Sequence, residues 1–169
     1  KKIAAIGKPT VLVMLNGSAV SINWENEHLP AILEAWYPGQ AGGAAIANIL
    51  FGDYNPAGRL PLTFYKDVAD IPDFENYDMD GFTYRYFEGE VLYPFGFGLS
   101  YTKFEYSDCS LSADELSVSS DQEIEIEVQV KNVGERAGEE VVQLYIADKS
   151  SKDPFLSTGG CSSRPVVKL

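Results

Sequence analysis

The chain has 169 residues, a length that holds one domain or two small ones, and its apolar and charged fractions are those of an ordinary globular protein. Thirteen Lys and Arg against 25 Asp and Glu give a formal charge of -12, which argues against nucleic acid, bound through cations on phosphates, and against anionic membrane surfaces. No apolar run approaches the ~18 residues of a membrane span, and the start, KKIAAIGKPT, is too short in its apolar part for a signal peptide. The acidic balance suits a neutral partner such as a sugar.

In chain order, the dense apolar run Val11–Leu15, bounded by Pro9 and Gly17, predicts a strand buried on both faces, as in a parallel sheet. ENEHLP reads as a polar connection. AILEAWYP predicts a second short strand, stopped by Pro38 and Gly39. In GQAGGAAIANILFGD, Ala45, Ile46, Ile49 and Leu50 follow helical spacing, and Gly52 stands where a C-terminal cap belongs. The small residues Gly42 to Ala45 would let this helix lie close against a sheet. GRLPLTFY is a further candidate strand, so residues 1–102 predict an α/β layer.

From Lys66 to Val91 the period breaks. This segment mixes Asp67, Asp70, Asp73, Glu75, Asp78, Asp80, Glu88 and Glu90 with Phe74, Tyr77, Phe82, Tyr84 and Tyr86. Loops of that length are functional or disordered, and the rings oppose disorder. The acids read as surface carboxylates by default. The rings read either as core for an irregular region or as a platform that stacks on the apolar face of a pyranose. TYRYF alternates, which places Tyr84 and Tyr86 on one face opposite Arg85.

YPFGFGLSYTKFEY, residues 93–106, holds six aromatic rings among turn-forming Pro94, Gly96 and Gly98. Such a segment predicts a clamp between two modules rather than a loose linker. Beyond it the period changes to two. Ile124, Ile126, Val128 and Val130 face one way and Glu123, Glu125, Glu127 and Gln129 the other, the mark of an antiparallel strand with one wet face. EEVVQLYIAD predicts a second such strand and FEYSDCSLS a third. Three strands leave a sandwich of about seven unfinished.

Other signals are weaker. YPGQAGG lacks both G-x-G-x-x-G spacing and a G-K-[ST] ending, so close packing explains its glycines as well as phosphate binding does. His28 is the single histidine, without a nucleophile-elbow motif and without metal-ligand company, and reads as a solvated loop residue. Cys109 and Cys161 are too few for a zinc site and either pair or remain separate thiols.

Three stretches carry a resemblance. AILEAWYPGQAGGAAIANILFGDYNPAGRLPLTFYKDVADIP resembles the C-terminal α/β domain of glycoside hydrolase family 3. FTYRYFEGEVLYPFGFGLSYTKFEY resembles that family's passage into a fibronectin type III-like domain, and AGEEVVQLYI a strand of it. The likeness runs over nearly all of residues 8–147 and is greatest to bacterial β-glucosidases and β-xylosidases.

The resemblance implies a partial α/β domain at 1–102 and a truncated fibronectin type III-like β-sandwich at 103–169. It implies retaining hydrolysis of β-glucosides or β-xylosides without a cofactor or metal, through two carboxyl groups ~5–5.5 Å apart. The family carries its nucleophile on a preceding barrel and its acid/base in many members just ahead of where this chain begins. No motif here matches either, so no catalytic residue is assigned, and the expectation is an internal fragment with little turnover of its own. Its carbohydrate partner would be held mainly by the barrel, with Tyr77, Phe82, Tyr84 and Tyr86 as rim contacts. The resemblance suggests a periplasmic or extracellular enzyme. A non-catalytic carbohydrate-binding or scaffold module is the rival, and strand exchange or a homodimer through the unfinished sandwich is a further option.

Overall fold

A computed structural model describes residues 1–113 and 123–145. The chain divides into two compact units. The first is Lys1–Tyr54 with Arg59–Gly98; the second comprises Asn55–Gly58 and the chain from Leu99 onward. Elements follow in the order β1 (Val11–Met14), α1 (Asn23–His28), β2 (Ala31–Glu34), α2 (Gly42–Phe51), β3 (Phe64–Tyr65), α3 (Thr83–Tyr86), β4 (Val91–Tyr93), β5 (Phe104–Leu111) and β6 (Ile126–Asn132).

In the first unit β1 and β2 pair in parallel, with Val11 opposite Ala31 and Met14 opposite Glu34, and the Met14 carbonyl accepts the Ala35 amide at 2.9 Å. The parallel pairing is as the apolar run predicts, but burial on both faces is not. Met14 alone in β1 is buried, because this sheet has two strands and limited cover. The core gathers Met14, Ile22 and Phe64, with Leu12, Ile32, Trp36, Leu60, Leu62 and Tyr93 packed around them.

The polar connection after β1 is corrected to a helix. Ile22, buried in the core, anchors its start. Trp24 stacks on His28 one turn later, centroids 4.4 Å apart, and His28 Nδ1 donates to the Trp24 carbonyl at 2.8 Å. The i,i+4 ring pair supplies the apolar stripe that the carboxylates on either side disguise. His28 is thus solvent-exposed as expected, but it ends a helix and stacks on a ring rather than lying in a loop.

α2 forms where its spacing predicts, and Gly52 caps it at φ 81°, a left-handed conformation that glycine adopts without penalty. Ile46 and Ile49 are half-buried, whereas Ala45 and Leu50 are exposed. The tight approach at its start is to a turn, not a sheet. A Cβ on Gly42 would lie 2.5 Å from Pro38, while Gly43, Ala44 and Ala45 are exposed.

The strand expected over GRLPLTFY shrinks to Phe64–Tyr65, which pairs antiparallel with β4. Pro61 has no N–H to give a ladder. The Leu60 amide instead donates to the Phe97 carbonyl at 2.8 Å, and the Leu60 carbonyl accepts the Gly96 amide at 2.6 Å. That turn needs Gly96 at φ 73°. The six rings of residues 93–106 divide between the units. Tyr93 stacks on Phe97 at 5.0 Å and meets Phe64 edge-on at 6.1 Å in the first unit, whereas Phe104 and Tyr106 lie on β5 in the second.

In the second unit β5 and β6 pair antiparallel, so FEYSDCSLS is a strand as expected. β6 alternates half-buried Ile126, Val128 and Val130 with exposed Glu127, Gln129 and Lys131. Between Ser107 and Ser110 the register slips, two residues of β5 facing one of β6. Asp108 takes φ 52° there and exposes Cys109 beside it. This is a β-bulge, the usual device for bending one strand of a pair.

The second strand expected over EEVVQLYIAD is corrected in its described part. Residues 139–145 belong to no strand, and Val141, Val142 and Leu144 are exposed. Alternation alone does not make a strand without a neighbour to complete its ladder. Cys161, the connection 149–161 and the tail SSRPVVKL lie outside the described residues.

Candidate functional site

The long segment between Lys66 and Val91 is built on local caps. Asp67 accepts the Ala69 amide at 2.9 Å, and Asp70 accepts the Asp67 amide at 2.8 Å, a reciprocal box around one 3-10 turn at Val68–Asp70. Asp73 accepts from the Glu75 amide at 3.0 Å. These three carboxylates hold backbone and are not a paired acid and base. Among the described residues no group of three or more His, Cys, Asp or Glu could hold a metal ion.

Glu90 pairs with Lys66, and the ammonium, by its hydrogen bond first and its charge second, holds the Glu90 carboxyl below its usual pKa. A depressed carboxyl adds stability above its unfolded pKa and loses it as pH falls through the folded one. The pair is largely solvated, so its contribution to stability is small. In Lys66→Ala, a carbon-detected titration of Glu90 is expected to move its pKa upward. An unchanged midpoint would remove Lys66 as the cause.

The expected alternation of TYRYF is corrected to one helical turn, α3. Thr83 enters it at φ 60°, and its amide donates to Tyr65 Oη at 2.7 Å. Tyr65 meets Phe87 edge-on at 4.9 Å. Tyr84 stacks on Phe95 at 4.5 Å with planes 24° apart. Arg85 does not stand apart from the tyrosines. Its guanidinium lies 5.9 Å from the Tyr84 ring centre, and the Tyr84 and Tyr86 side chains raise its pKa further above the usual value.

The four ring positions named from the sequence therefore differ in setting. Tyr77 is 93% exposed and neighbouring Phe74 is 95% exposed. Phe82 and Tyr86 are half-buried at either end of α3. Tyr84 has one face taken by Phe95. The arrangement is a braced base with free rings standing off it, suited to stacking rather than to proton transfer. Sequence reasoning did not find the braces Tyr65, Phe87 and Phe95. Nothing local signals that Tyr65 reaches Thr83, 18 residues away.

A second anchoring contact lies nearby in sequence. Tyr93 Oη donates to Asn26 Oδ1 at 2.6 Å, tying β4 to α1, and partial burial raises the phenol's pKa.

Comparison with known proteins gives a consistent result. The chain is 44% identical to a xylan 1,4-beta-xylosidase of Xylanibacter ruminicola over 95% of its length and 18% of that protein. It is 40% identical to a periplasmic beta-glucosidase of Salmonella typhimurium over 99% of its length and 22% of that protein. Beta-glucosidase 3B from Thermotoga neapolitana, solved in complex with alpha-D-glucose, superposes with a TM-score of 0.69 at 34% identity, over 79% of this chain and 20% of that one. The chain thus spans about a fifth of the length of these relatives. Its α/β part, residues 1–101, matches the family described as the glycosyl hydrolase family 3 C-terminal domain, and the chain belongs to that family.

Proposed function

We propose that this chain is the C-terminal portion of a retaining glycosidase that cleaves β-glucosides or β-xylosides. The reading is supported above all by the 44% identity to a xylan 1,4-beta-xylosidase along 95% of the chain. In this reading residues 1–102 are the family's α/β domain and residues 103–169 a fibronectin type III-like module. The alternating β6 and its antiparallel pairing with β5 favour that second assignment. The chemistry is carried by carboxyl groups outside these residues, and this chain supports the site they form.

The same reading gives the segment 66–91 a rim role, with Tyr77, Phe82, Tyr84 and Tyr86 around the sugar. Tyr77 is the ring best placed to stack on a pyranose, since its faces are free of the braces that hold Tyr84. A chimera tests the proposal. Residues 1–147 replace the matching segment of the Xylanibacter xylosidase, and hydrolysis of nitrophenyl β-xyloside is followed. Retained turnover is expected. A folded chimera without turnover overturns the proposal, as does clear hydrolysis by the isolated chain at titrated active-site stoichiometry.

A further inference from the structure

The C-terminal ends of β1 and β2 carry a second exposed ring, remote in sequence from the segment 66–91. In open α/β sheets ligands bind outside the carboxyl ends of parallel strands. Here Tyr37 follows β2 and is 77% exposed. It lies against Gly17, which follows β1. A Cβ on Gly17 would fall 2.7 Å from Tyr37 Cε2 and 3.5 Å from its hydroxyl, so the missing side chain makes the seat for the ring.

The backbone beneath is locked. Trp36, immediately before Tyr37, has φ 52°, a left-handed conformation costly for a large side chain. Both oxygens of Glu34 hold it there. Oε1 accepts the Trp36 amide at 3.0 Å, and Oε2 accepts the Asn16 side-chain amide at 3.1 Å. Asn16 Nδ2 also donates to the Ser18 carbonyl at 2.7 Å, which fixes the turn that contains Gly17. The Trp36 ring packs edge-on against buried Phe64 at 6.2 Å. Asn16 Oδ1 is buried without a partner, a second local cost at the same edge. Two such costs around an exposed, seated ring are the signature of a site shaped for something other than stability.

We propose that Tyr37, seated on Gly17 and aimed by Glu34 and Asn16, is a stacking platform for one ring of a neutral β-linked pyranose chain. The ligand class rests on membership of a glycosyl hydrolase family; the platform itself rests on the geometry. A fixed phenol offers a flat apolar face with a hydroxyl at its rim, the match for a pyranose with its equatorial hydroxyls.

The test uses the full chain and xylotriose and cellotriose as probes, with binding followed by protein-observed NMR. Tyr37→Ala is expected to weaken binding of at least one probe about tenfold or more, and Tyr37→Phe to retain most of it. Gly17→Ala, which displaces the ring without removing it, is expected to weaken binding as Tyr37→Ala does. Both positions are exposed, so folding is checked simply by unchanged amide spectra elsewhere. Unchanged binding in Tyr37→Ala, with loss in Tyr77→Ala, overturns the platform and leaves the carbohydrate reading of the segment 66–91 standing. Equal loss in Tyr37→Ala and Gly17→Ala, with Tyr77→Ala unchanged, supports the platform. No saturable binding of either probe by the unaltered chain overturns the platform, while turnover by the chimera decides the glycosidase reading separately.

Discussion

Phe64→Ala is expected to destabilise the first unit by about 3–5 kcal/mol, a loss comparable with the whole stability of a small domain. Phe64 is 1% exposed and is the one large side chain fully buried among the described residues. Its ring meets Trp36 at 6.2 Å and Tyr93 at 6.1 Å, both edge-on. Removing it takes away the transfer of a benzyl group from water and leaves a cavity that two large rings cannot collapse to fill. Thermal unfolding followed by tryptophan fluorescence is the measurement, because Trp36 lines the cavity. A fall in Tm of ~15–30 °C is expected for a unit of this size, or no cooperative transition at all. Phe64→Leu, which keeps most of the volume, is expected to lose less than half as much. If Phe64→Ala shifts stability by less than about 1 kcal/mol, the core is centred elsewhere.

Asn55→Ala is expected to produce the largest effect in the second unit, about 2 kcal/mol. Asn55 joins three chain segments through one side chain. Its Oδ1 accepts the Tyr101 amide at 2.7 Å and the Ser100 hydroxyl at 3.0 Å, and its Nδ2 donates to the Ala137 carbonyl at 2.9 Å. Asn132 completes the hub. It accepts from the Thr102 hydroxyl at 2.7 Å and the Gly134 amide at 3.0 Å, and it donates to the Arg136 carbonyl at 2.8 Å. Two glycines make room. A Cβ on Gly138 would lie 2.5 Å from Asn55 Nδ2, and one on Gly134 would lie 2.2 Å from Thr102 Oγ1. Alanine at 55 loses all three bonds and leaves the Tyr101 amide and the Ala137 carbonyl to water, whereas Asp keeps the side-chain acceptor and loses only the side-chain donor. Amide exchange at Tyr101 is the local readout, since its N–H loses its partner only in the alanine variant. Protection at Tyr101 that survives in Asn55→Ala would show that the hub is not what orders this loop.

Periodic features were readable from the chain itself. α2 and its cap at Gly52 follow from spacing at 3.6 residues and one glycine in the place that demands positive φ. β6 follows from strict alternation, because side chains two apart share a face whatever the partner strand is. The parallel β1 and β2 were visible as short apolar runs bounded by turn-formers. The candidate rings Tyr77, Phe82, Tyr84 and Tyr86 were visible as a class, since aromatic content in an aperiodic segment is a matter of composition alone.

What the tertiary structure decided is which partner each residue meets. α1 looked like a polar loop because its apolar stripe is a Trp24–His28 stack and its anchor, Ile22, lies outside it. Phe64 reads no differently from the other phenylalanines, yet among the described residues it alone of them is buried. Tyr84 looked equivalent to Tyr77 until Phe95 took one of its faces. Tyr37 looked like a strand residue until Gly17, 20 positions earlier in the chain, proved to be its seat. The physical reason is the same in each case. Backbone periodicity is set by neighbours a few residues apart, so composition and spacing carry it. Burial, hydrogen-bond partner and the free face of a ring are set by segments that meet only after the chain has folded.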